Sequence, residues 1–307
     1  MEPAVKSILA MMVIFVIAQV GALFMAASVL GPQEMVFQNP NDPLIPVLYI
    51  LAIIGFTFAV LFIIKKKRES LVRLIFLGAV IYTIFFVLLI IAANFIPGIL
   101  PLPLAIAITG VLAYYLIKKP EWYVVDISGL LMSIGVIGIL GISLNILPVI
   151  ILLVLLAIYD AVSVYGTKHM VALADGVTQM KLPILLVIPK KKGYSYLEQK
   201  PLKQQLDEGE EREAMFMGLG DVIIPGVLVT SAFNFLPPEK MVGSLSGALV
   251  VAIGTLIGAL IGFAVLMRFV MKGKPQAGLP LLNGGAVVGY LITYLIVYGS
   301  LTFGITL

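Results

Sequence analysis

Nine long apolar runs, separated by short clusters of Pro, Gly, Asn and charged residues, set the rhythm of this 307-residue chain. A helix needs about 20 apolar residues to cross a hydrocarbon core. The runs at about 5–29, 44–64, 71–94, 99–117, 123–144, 146–166, 214–235, 242–271 and 279–305 therefore predict nine transmembrane helices. Breaks fall at Gly31-Pro32-Gln33, Asn39-Pro40-Asn41-Asp42-Pro43 and Pro237-Pro238, residue types that interrupt regular structure. Between the fourth and fifth runs, Trp122 is placed to anchor at the membrane interface. The first run is longer than the apolar part of a signal peptide and has only Lys6 as a basic flank, so it reads as an uncleaved span. The expectation is an all-α polytopic membrane protein with a single membrane-embedded domain over residues 1–307.

Composition agrees with this pattern. The chain is 61% hydrophobic and 12% charged, with a mean hydropathy of +1.13, values foreign to a soluble chain of this length. The absence of cysteine excludes disulfides, thiolate ligands and a cysteine nucleophile. A single histidine, His169, excludes a multi-histidine metal site within one chain. No metal or cofactor is expected. Nor is nucleic acid, because the basic residues have a topological explanation. With the N-terminus in the cytoplasm and spans alternating, 19 of the 20 Lys and Arg fall on the cytoplasmic side, and only Lys240 falls outside. Excess Lys and Arg in cytoplasmic loops is the strongest orientation signal in a sequence. The C-terminus is then extracytoplasmic.

The longest connection, 167–213, lies on that cytoplasmic side. Its second half runs from Lys190-Lys191-Lys192 to Asp207-Glu208-Gly209-Glu210-Glu211, a polar and charged composition that predicts a mobile segment. Ile184-Leu185-Leu186-Val187-Ile188, between Pro183 and Pro189, is β-prone and too short to span. It reads either as a contact with the membrane surface or as a strand edge open to an extended peptide.

Two acids interrupt the apolar runs: Asp160 in the sixth and Asp221 in the seventh. A carboxylate within a span is a functional-site candidate by default. If the seventh helix starts near Ala214, both acids lie roughly 9–10 Å below the cytoplasmic face. Adjacent antiparallel helices then bring them together. Two touching carboxyls cannot both ionise easily and share a proton, the state in which one activates water while the other protonates a scissile carbonyl. Gly218 and Gly220 beside Asp221 permit close backbone approach, although glycines are common throughout this chain. Tyr159 is expected to hydrogen-bond near Asp160. Asp126, four residues past Trp122, reads as interfacial; Arg73 and Arg268 as snorkelling; Asp175 and His169 as loop residues.

Tyr159-Asp160 in one span and Gly218-Leu219-Gly220-Asp221 in the next, separated by a long hydrophilic loop, resemble the presenilin and signal-peptide-peptidase family, in the compact form of an archaeal-type presenilin homologue. The resemblance implies an intramembrane aspartyl protease that cuts within transmembrane helices, with Asp160 and Asp221 as the catalytic pair and Tyr159, Gly218, Leu219 and Gly220 shaping the site. The family's third motif, Pro-Ala-Leu, aligns with Ala277-Gly278-Leu279 followed by Pro280. The match is in the leucine and not in the leading proline, so a substrate-facing role carries over to Leu279, with Pro280 suited to a first helical turn. The predicted orientation is that of the presenilin branch, implying substrates whose N-terminus is outside. Transmembrane-helix substrates, the bilayer and a second copy of the chain are the expected partners, and the plasma membrane of a prokaryote the expected location. The competing reading of the same acids is a proton- or cation-coupled transporter or a cation leak channel. Against it, the halves show no matched pair of broken helices.

Overall fold

The computed structural model describes residues 3–28, 30–37, 39–66, 68–167, 183–191, 193–198, 213–271 and 276–304. Nine α-helices occur among them: α1 (Pro3–Ser28), α2 (Leu44–Lys65), α3 (Glu69–Phe95), α4 (Pro101–Lys118), α5 (Trp122–Ser143), α6 (Ile146–Ala161), α7 (Leu219–Phe235), α8 (Gly247–Val270) and α9 (Leu279–Tyr298). Eight are long and apolar enough to cross a membrane, and α7 is a shorter apolar helix of 17 residues. Their outward faces carry exposed Leu, Ile, Val and Phe, such as Leu9, Val13, Ile17, Val20 and Phe24 along α1. That is the surface of a helix solvated by lipid, where backbone polar groups are satisfied within the helix.

Three stretches read as helix fold otherwise. Residues Ala214–Gly218 form strand β2, paired antiparallel with β1 (Leu185–Pro189). The β-branched run of β1 presents backbone groups that need partners, and Ala-Met-Phe-Met-Gly supplies them with no helix cap in its way. The seventh helix therefore starts at Leu219, five residues later than the pattern of apolar residues suggests. Likewise Met241–Val242 (β3) and Leu245–Ser246 (β4) form a small hairpin turning at Gly243, whose φ is 62°. The eighth helix starts at Gly247, with Ser246 Oγ accepting from Leu249 N at 3.3 Å as its cap. At the far end Gly299 takes φ 64° and stops α9 before residue 305. The short strand expected at 184–188 is present as β1. His169, Asp175 and the acidic stretch 207–211 lie outside the described residues.

Contacts group the chain into two compact units. The first comprises Met1–Phe15, Phe56–Gly135 and Lys168–Leu219. Its core joins Val72, Val80 and Ile84 of α3, Leu116 of α4, Val124 and Val125 of α5, Val187 of β1 and Tyr196. The second comprises Val16–Gly55, Val136–Thr167 and Gly220–Leu307. Its tightest packing is between α8 and α9. Gly258 and Gly262 meet the backbone of Gly285, Gly289 and Leu281 so closely that a Cβ at either glycine would collide with it. Small residues of this kind let membrane helices approach to backbone contact. Asn283 Nδ2 of α9 donates to Leu153 O of α6 at 2.9 Å, which fixes the start of α9 beside the end of α6.

Candidate active site

Asp160 is the penultimate residue of α6 and 6% exposed. Immediately beyond it the helix widens into a π-helical turn, Val162–Thr167, a deformation frequent at functional sites. The widened turn carries Tyr165, whose hydroxyl donates to Gln276 Oε1 at 3.0 Å and accepts from Ala277 N at 3.3 Å. The next two amides turn to Asp160: Leu279 N donates to its Oδ2 at 3.0 Å, and the Gly278 amide bears on the same carboxyl. Two backbone N–H groups at the mouth of α9, those of Ala277 and Leu279, are thus satisfied by the π turn and by α6. These are donors that a helix start leaves without intrahelical partners.

Asp221 sits in the first turn of α7, partly buried. Gly278 lies flat against it: a Cβ built there would stand 2.9 Å from Asp221 Oδ1 and 3.1 Å from Oδ2. Gly278 has φ −78° and ψ −49°, a conformation open to any residue. Its lack of a side chain therefore serves space, not backbone geometry. Two adjacent residues thus border the two carboxyls: the Leu279 amide donates to Asp160, and Gly278 leaves room for Asp221. Asp221 is the third residue of its helix, where the sequence placed it seven residues in.

The remaining predicted residues divide. Leu279 contributes its amide to Asp160, and Pro280, at the second helical position of α9, lacks an N–H where none is needed. Gly220 is exposed, with open space where a Cβ would be. Gly218 ends β2 opposite Leu185. Leu219 is 4% exposed, its side chain packed on Gly129, so it serves packing. Tyr159 is half-buried, and no hydrogen bond joins it to Asp160 among the described residues. Gly278 and Tyr165 escaped the sequence reading. One is a glycine among 29, and the other becomes relevant only through the π turn.

The family described as signal-peptide peptidase, presenilin aspartyl protease matches residues 12–298. Two solved structures of a presenilin family intramembrane aspartate protease, in C222 and P2 space groups, superpose with TM-scores of 0.65 and 0.62 at 30% and 31% identity. Each covers 94% of this chain, and 99% and 97% of the other. Signal peptide peptidase from Homo sapiens is 33% identical over 130 residues, which is 42% of this chain and 29% of the relative. The Mus musculus protein is 32% identical over 123 residues, 40% and 28% respectively. The chain thus spans less than a third of the curated relatives it matches. The transport reading of the same acids gains no support from these relatives. The chain belongs to the signal-peptide peptidase and presenilin family of aspartyl proteases.

Proposed function

We propose that this protein hydrolyses peptide bonds inside membrane-spanning helices, with Asp160 and Asp221 as its acid–base pair. The observation that carries the reading is the Gly278-Leu279 turn, which donates the Leu279 amide to Asp160 and lies against Asp221 at Gly278. The ionised member takes a proton from water as the water oxygen attacks the scissile carbonyl carbon. The neutral member gives its proton to the carbonyl oxygen. Collapse of the resulting diol breaks the C–N bond, with the leaving nitrogen protonated by the pair. Neither metal nor nucleophilic side chain takes part.

A helical substrate hides its amides in its own hydrogen bonds, and exposing them in lipid is costly unless new partners are supplied. The edges of the β1–β2 pair differ in this respect. On β1 two of the outward groups are taken: Val187 N donates to Asp126 Oδ1 at 2.7 Å, and Pro189 O accepts from Ser7 Oγ at 3.1 Å. On β2, no further strand is paired among the described residues, and its last residue stands three positions before Asp221 in the chain. The peptide edge expected on the 184–188 segment is therefore assigned to β2.

The N-terminus is placed in the cytoplasm and the C-terminus outside, by the Lys and Arg bias. Substrates are single-span helices with an outside N-terminus, met in the plasma membrane of a prokaryote by the chain alone or as a homo-oligomer. The test is cleavage of a single-span substrate by purified protein in liposomes. Wild type is expected to cut within the span, and Asp160→Asn and Asp221→Asn each to abolish cutting while the fold survives. Unimpaired cleavage by either variant sinks the reading.

A further inference from the structure

A third acid lies within a span, and the reaction above does not use it. Asp126 is on α5 and 7% exposed. Its Oδ1 accepts the Val187 amide, and its Oδ2 is buried with no hydrogen-bond partner among the described residues. A buried carboxyl satisfied on one oxygen only is costly. An apolar side chain would serve simple packing better.

Its setting indicates what it does. The bond to Val187 fixes the parity of the strand pair, because this N–H points away from β2. The even positions face β2: Leu219 N donates to Ile184 O at 3.1 Å and Lys190 N to Glu213 O at 2.8 Å, bracketing the ladder Leu185↔Gly218 to Pro189↔Ala214. A one-residue slip would turn every side chain to the other face. On the same unit Glu121, one residue before α5, accepts from Ser195 Oγ at 2.8 Å and from Tyr196 N at 3.0 Å. The Tyr196 phenol is pushed up by burial first and by the nearby Asp126 second. Two acids at the head of α5 thus hold β1 and the segment following it.

We propose that Asp126 is a positioning residue of the protease: by accepting the Val187 amide it locks the register of β1 on β2, and so the chain that delivers substrate to Asp221. The proposal rests on the protease reading and adds a residue that acts through the strand pair, not on the substrate. The measurement is product mass, kcat and KM on a single-span substrate in liposomes for wild type, Asp126→Leu and Asp126→Asn. Asp126→Leu is expected to spread cutting over neighbouring bonds and lower kcat about 10- to 100-fold, as small misplacements of reacting groups do, with KM little changed. Asp126→Asn keeps an acceptor for Val187 and restores the wild-type products. Should Asp126→Leu fail to fold, Val187→Pro removes the donor on the outward edge, where proline is tolerated, and is expected to give the same spread. Unchanged products and kcat in the folded Leu variant overturn the proposal, as does an Asn variant as impaired as the Leu variant. Wild type that never cuts sinks the protease reading itself.

Discussion

Gly278 lies against Asp221, beside the Leu279 amide that Asp160 accepts, and its role is spatial. A methyl group there would stand 2.9 Å from Asp221 Oδ1, the end of a side chain that is able to swing away. Gly278→Ala is therefore expected to fold normally and lose less than about tenfold in kcat, in keeping with an alanine at this place in the motif the sequence resembles. Gly278→Val puts two further carbons between the acids, and its expected loss is about 100-fold or more in kcat with melting temperature nearly unchanged. Equal activity across Gly, Ala and Val would show that the carboxyls meet elsewhere. At this scale the sequence was informative where a residue violates its surroundings. Asp160 and Asp221 stand out because a carboxylate in an apolar run needs a reason. Asp126, four residues past Trp122, is buried by packing of α5 against β1 that the sequence alone does not show. Gly278 violates nothing, and its meaning comes entirely from what lies across from it.

Between residue and molecule, helices and strands were legible to different degrees. Nine apolar stretches predict nine helices, and nine apolar helices occur among the described residues, because such a helix declares itself by length and apolarity alone. The strands at 214–218 and 241–246 stayed hidden because an apolar run of five residues reads the same as strand or helix end until its partner is known. That shift matters, since it moves Asp221 from mid-helix to a helix start and places β2 directly before it. Phe216 N–H lies on the outward edge of β2, as register with Val187 requires. Phe216→Pro is expected to leave the β1–β2 ladder intact and slow cleavage about tenfold by denying the substrate one backbone partner. Cleavage at the wild-type rate would move substrate pairing off this edge. The α8–α9 contact offers a separate check. Gly258→Val drives a branched side chain into the Gly285 and Gly289 backbone, with an expected loss of about 1–3 kcal/mol or more of stability. Cleavage should fall as well, because α9 carries Leu279 to Asp160 at its start. Thermal unfolding in detergent and cleavage rate read the two effects separately.

For the whole chain, orientation decides which substrates are admissible, and here charge is the governing quantity. Nineteen of 20 Lys and Arg fall on one side when nine spans alternate. A wrong span count would have scattered them, so the bias supports the count and the direction together. The strand pair at 214–218 does not disturb this, because α7 still starts on the side where the 167–213 connection lies. Under the proposed orientation the sixth span would run toward the cytoplasm and the seventh away from it. A substrate helix adding to β2 must present its scissile segment with matching polarity, since an antiparallel or parallel ladder fixes which backbone groups face each other. The proposed pairing on β2 is therefore expected to favour one of the two helix orientations. Liposomes loaded with the same single-span sequence in either orientation, each scored by product mass, separate the cases. Substrates with an outside N-terminus are expected to be cut at least about tenfold faster, corresponding to about 1.4 kcal/mol of differential transition-state binding. Equal rates would mean that the substrate unwinds before it pairs and that β2 imposes no direction. Reporter fusions at both chain ends supply the independent control: an N-terminal reporter outside reverses the predicted preference.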